Sequence, residues 1–272
     1  AHETEATAPK SNRTERKTGR GMACFDVGRL SCPGNPGLLL QSGQSAGRGA
    51  TGQRLGTCPA GGAAGESMSA MSNDTAGVVH ASLATRADLL RHHDPERVQG
   101  YCRSCEKHGR FWSCPPFAAS PLVGFPEWTH AVIVCRRTPI APGTTKERLI
   151  ERFLAERVSF AGQMRRLEAC FLQVTALVAG HCSGCTECTR SEGKPCRAPE
   201  RLRYSLEAVG FDVTGLAEGL AGVKIHWPKS GVPDYLTTVG AMLCPEEGVA
   251  LQLRGEAVRG EAEDASARRG RR

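Results

Sequence analysis

The stretch His130-Ala131-Val132-Ile133-Val134-Cys135-Arg136, followed by Thr144 through Phe171, decides the fold class. The first run is short and almost continuously apolar. A proline-rich loop precedes it and Thr138-Pro139 follows, so it reads as a buried strand. The second part opens on Thr144-Thr145-Lys146-Glu147. That is capping-box spacing, in which the Thr hydroxyl and the Glu carboxylate satisfy each other's free backbone amides. Leu149, Phe153, Leu154, Val158, Ala161, Met164, Leu167 and Phe171 then recur at helical spacing. Glu151, Arg152, Glu156, Arg157, Arg165 and Arg166 mostly fill the opposite face, which predicts a helix docked on the core.

Outward from this pair the pattern continues. Leu172–Val178 reads as a second strand leading to Gly180, and Val223-Lys224-Ile225-His226-Trp227 alternates as a half-buried one. Tyr235–Leu243 and Val249–Leu253 read as further strands. Ser82–Arg91 reads as a short helix ended by Pro95. Pro199 suits the first turn of a helix running through Val209 and closed by Gly210. Strands interspersed with helices predict an α/β or α+β single domain, a mixed sheet packed by helices, with two cysteine-rich metal-binding loops.

The chain has 272 residues, 13 of them cysteine. Residues 1–77 contain 14 of the 32 glycines and one aromatic, Phe25. They are expected to be disordered, or a spurious extension ahead of Met68-Ser69-Ala70-Met71, because so little apolar surface cannot offset the entropy of ordering. The polar stretch 254–272 is expected to be a disordered charged tail, leaving 78–253 as the cysteine-rich domain. Of the net charge of +7, only +3 belongs to that core, which is not the footprint of a nucleic-acid binder. No apolar run reaches the ~20 residues of a membrane helix, and no secretory pattern opens the chain. A cytoplasmic location is expected, where cysteines serve metals or redox chemistry more than disulfides.

Seven of the ten core cysteines form two groups. Cys102, Cys105 and Cys114 are spaced x2 and x8, with Pro115-Pro116 next; Cys182, Cys185, Cys188 and Cys196 are spaced x2, x2 and x7. A Cys-x2-Cys loop brings two thiolates to one centre with its amides aimed at the sulfurs. Three thiolates at x2 spacing plus a distant fourth suit a [4Fe–4S]-type cluster better than one structural zinc, which usually takes two separate pairs. The fourth ligand is either Cys196 or, across the fold, Cys114. Zinc is the alternative cofactor. Seven thiols leave one ligand short of two complete sites, and His108 and His181 are the nearest candidates for an eighth. Arg103, Lys107, Arg110, Arg190, Lys194 and Arg197 would offset an anionic cluster. Cys135, Cys170 and Cys244 stand alone in apolar contexts and read as packing residues. No phosphate-binding glycine loop or nucleophile elbow occurs in the core.

Tyr101-Cys102-Arg103-Ser104-Cys105, Trp112-Ser113-Cys114-Pro115-Pro116-Phe117, Cys182 to Cys188, Cys196-Arg197-Ala198-Pro199 and Ser205 to Val213 together resemble a family of predicted metal-binding proteins, domain of unknown function 2284. The resemblance spans most of residues 97–245. Arg203-Tyr204-Ser205-Leu206 departs slightly from the family's pattern before the Glu-Ala pair. It implies a cysteine-bound metal, with iron–sulfur as the expected form, held by the seven grouped cysteines, and implies no reaction. The expected role is electron transfer or support of a redox enzyme, with a redox protein as partner. A zinc module that binds a partner and an open-site metalloenzyme are the alternatives.

Overall fold

In the computed structural model, residues 77–227 and 232–269 are described, with side chains through 259. The expectation for the N-terminal extension lies outside these residues, apart from Gly77. Strands β1 (Val78–Thr85), β2 (His130–Pro139), β3 (Thr175–Leu177) and β4 (Tyr235–Cys244) form one sheet in the order β1-β2-β4-β3. Every pairing is antiparallel; an isolated bridge from Val178 to Ser205 is parallel. The class is α+β.

The continuous apolar run of β2 follows from its place between two strands and two layers. Val132 and Val134 face helices α3 (Lys146–Ala169) and α5 (Glu247–Arg269), meeting Phe160, Met164, Leu253 and Ala257. Ala131, Ile133 and Cys135 face the other way, onto Leu89 of α1 (Arg86–Leu90), Leu216 of α4 (Val213–Gly219), Leu206 and Phe211. Both faces are buried, so alternation disappears from the sequence. On β4, a Cβ at Gly240 would stand 2.6 Å from the Leu177 carbonyl oxygen and 2.9 Å from the Phe160 ring. Glycine there admits both β3 and α3. Cys135, Cys170 and Cys244 are buried in the core, as expected.

Several expected elements take another form. Residues 82–85 belong to β1, and the helix begins only at Arg86, capped reciprocally by Thr85 and Asp88. The cap of α3 is Thr145, whose hydroxyl accepts from the Arg148 amide, so Glu147 is not in the reciprocal position. From Pro199 only one 3₁₀ turn forms, through Arg201, and Tyr204 then turns its carbonyl to the Val178 amide instead of continuing a helix. Residues 223–227 form no strand; Val223 is buried instead beside Leu216 and Val239. Residues 249–253 are helical, and α5 continues past 253 to Arg269, beyond the boundary expected for a disordered tail. Leu253 and Ala257 are buried on the sheet, and Gln163 donates to the Ala257 carbonyl, which extends the ordered face.

The stripe of α3 is also rotated from expectation. Phe153, Leu154 and Val158 are exposed, whereas Arg157, Phe160 and Gln163 join Leu149, Ala161, Met164 and Leu167 inside. That rotation carries an arginine beneath the cysteine loops.

Candidate metal centre

Helix α2 (Pro95–Arg103) starts on an Asp94 cap with proline in its first turn and delivers Cys102 in its last. The chain then folds tightly: the Cys105 amide donates to the Cys102 carbonyl at 3.1 Å and His108 to Cys105 at 3.0 Å. Gly109 donates to Pro115 at 2.8 Å, and Cys114 to Phe111 at 3.0 Å. Cys102 and Cys114 are half-buried and Cys105 is exposed. Burial pushes the Cys114 thiol up to about 11. Cys102 is also raised, by burial first and then by the negative charges of Glu207 and Cys105.

The second set is one loop closed on itself. Cys188 leads into a 3₁₀ turn (Thr189–Glu192) that ends on Gly193 in the left-handed conformation. The Lys194 amide returns to the Thr189 carbonyl at 3.1 Å, and the buried Thr189 hydroxyl donates to Pro195 at 2.6 Å. This excursion accounts for the seven-residue gap before Cys196. Cys182, Cys185, Cys188 and Cys196 line one small cleft open to solvent, with Phe111 and Trp112 from the first cysteine segment in its wall. Cys196 is raised by burial and then by the other three thiols, whose charge it feels.

Backbone amides are aimed at sulfur in both sets. Gly184 donates to Cys182 Sγ at 3.3 Å, and Lys107 to Cys105 Sγ at 3.5 Å. Such amide–sulfur contacts are a feature of metal-binding loops. Among the described residues, no group of three or more His, Cys, Asp or Glu side chains is drawn in to the spacing that grips one ion. The four cysteines share a cleft without converging on a point, and their donor chemistry fits a soft thiolate-bound metal or cluster.

The two segments are sewn together. Arg190 forks onto carbonyls of the first segment, donating to Phe111 at 2.7 Å, to Pro116 at 2.6 Å and to Cys114, while lying over the Trp112 ring. Trp112 Nε1 donates to Lys194 at 3.1 Å, and the Cys182 amide to the buried Ser113 hydroxyl at 2.8 Å. Phe111 packs on His181 with ring centroids 4.1 Å apart.

Of the two expected histidines, His181 has its Nε2 3.1 Å from the Arg157 guanidinium. Burial, then Arg157 and Lys107, hold it down to about 4, so it is neutral and accepts through that nitrogen. His108 is half-buried and has joined no ligand group. The expected basic residues divide. Arg190 is structural in the seam, Lys194 and Arg197 pair with Glu192, and Lys107 pairs with Glu106. Two residues escaped the sequence reading. Arg157 faces inward from α3; its signal was its position three, four and seven residues before Phe160, Ala161 and Met164. Glu207 lies in the Ser205–Val213 motif, where burial raises its carboxyl.

A family model described as predicted metal-binding protein (DUF2284) matches residues 93–244, more than half of the chain. The chain belongs to that family. All seven grouped cysteines of this DUF2284 protein fall within the matched span, as do Arg157, Arg190 and Glu207. No curated protein and no solved structure matches the chain. Among the described residues, no helix is long and apolar enough to cross a membrane.

Proposed function

We propose that this DUF2284 protein holds an iron–sulfur centre of [4Fe–4S] type on Cys182, Cys185, Cys188 and Cys196, and a second metal or cluster on Cys102, Cys105 and Cys114. The observation that carries this reading is the single cleft lined by all four thiols of the second set. It favours Cys196 over Cys114 as the fourth ligand, since Cys196 lines that cleft and Cys114 does not. An iron–sulfur centre there would supply one-electron redox chemistry. The protein's part would be to fix the sulfurs with the Thr189 staple, screen them behind Phe111 and Trp112, and hold the two sets in register through Arg190. The role that fits is electron transfer with a redox protein partner.

Four thiols in one cleft also satisfy tetrahedral zinc, and that observation keeps zinc as the second reading. Anaerobic purification followed by iron, sulfide and zinc assays and a visible spectrum separates the two. Broad visible absorption with stoichiometric iron and sulfide supports the cluster; colourless protein with stoichiometric zinc replaces it.

A further inference from the structure

Arg157 is 6% exposed, yet no Asp or Glu pairs with it among the described residues. A buried guanidinium without a counter-charge is costly unless something nearby supplies one. Its hydrogen bonds go to the His181 carbonyl and to His181 Nε2, neither of which carries a negative charge. Its route inward is prepared by Gly180. That residue has φ 67°, and a Cβ there would stand 2.9 Å from Arg157 Cδ. Only glycine combines that backbone with room for the arginine. His181 precedes Cys182, whose amide bonds Ser113, and Ser113 precedes Cys114. The guanidinium therefore lies under the seam, between the segments that carry Cys114 and Cys182, one from each set.

We propose that Arg157 is the shared counter-cation of the two thiol sets, balancing the negative charge that thiolate ligation places at Cys114 and Cys182 and raising the reduction potential of the centre held by Cys182, Cys185, Cys188 and Cys196. The inference rests on the metal-centre reading above. In the step concerned, the oxidised centre takes one electron from an electrode and gains one negative charge, with no bond made or broken. A fixed cation favours the more negative, reduced form. Arg157 is a positioning and charge-balancing residue and not a ligand.

The test compares full-length wild type with Arg157→Lys and a neutral variant, Arg157→Gln, or Arg157→Met should the glutamine variant not fold. Metal content and midpoint potential are read on each by spectroelectrochemistry. The expected result is a shift to a more negative midpoint in the neutral variant at unchanged iron content, with Arg157→Lys staying near wild type. Loss of the centre in the neutral variant alone, with Arg157→Lys loaded, also supports the charge requirement. An unshifted potential in a loaded neutral variant overturns the inference and leaves the metal reading intact, as does equal loss of metal or folding in both variants. Wild type without iron overturns the iron–sulfur reading itself, and this inference with it.

Discussion

The two cysteine sets differ in how completely each is built. The 182–196 loop carries four thiols, closes on itself through Thr189, and shapes a cleft. The 102–114 segment carries three and depends on Arg190 from the other segment to hold its carbonyls; each set leaves one thiol, Cys105 or Cys185, exposed. Four thiols match the ligand number of a closed metal site. A set that is a ligand short is organised to lean on its neighbour or to keep a position open. The second set thus holds the backbone of the first through Arg190, while Trp112 and Ser113 brace the second in return, so loss of the second should cost the first more than the reverse.

The strongest break of this comparison is at the ligands. Cys185→Ser should remove nearly all metal from the four-thiol set, whereas Cys105→Ser should spare it, read as iron or zinc per chain and by the visible spectrum. Next comes the contrast between the cysteine layer and the sheet. Phe160→Ala opens a cavity in the apolar core and should cost about 3–5 kcal/mol in chemical denaturation while leaving metal content per folded chain unchanged. Smaller is Arg190→Ala, which strips three carbonyls of a charged donor. It should cost about 2–4 kcal/mol and loosen the first set more than the second, seen as faster metal loss to a chelator from 102–114. Lysine should not restore it fully, because its donors diverge from one nitrogen whereas Arg190 reaches the three carbonyls from two. Thr189→Val, which leaves the Pro195 carbonyl without its donor, should cost about 1–2 kcal/mol and speed metal release from the second set only.

The smallest effect lies far from the cysteines. The Thr85 hydroxyl and amide hold Asp88 down to about 2, below its ordinary 3.8. Because the folded value lies below the unfolded one, the stabilisation is fully present above pH 3.8 and is lost as pH falls through about 2. Asp88→Asn should flatten that acid dependence in thermal melts and leave metal content untouched.

The sequence made β2, β4 and the existence of α3 legible, since long apolar runs and sustained helical spacing admit few readings. It misjudged 249–253, because five apolar-rich residues fit a strand or a helix; only Ala257, buried four residues beyond Leu253, discloses the period. The cysteine spacing disclosed both candidate sets. What binds them together was not legible. Arg190 reaches Phe111 across 79 positions and Arg157 reaches His181 across 24, so their partners are fixed by the packed fold and not by local spacing. The rotation of α3 has the same origin: Arg157 gains two hydrogen bonds beneath the loops while Phe153 and Val158 stay outside.

The most direct measurement is elemental and sulfide content of oxygen-free purified protein, combined with counting of thiols that react with an alkylating probe before and after metal removal. The account predicts stoichiometric iron and sulfide, and a rise of at least four reactive thiols per chain once the metal is stripped. Protein that contains neither iron nor zinc, and whose grouped thiols react fully from the start, would contradict it.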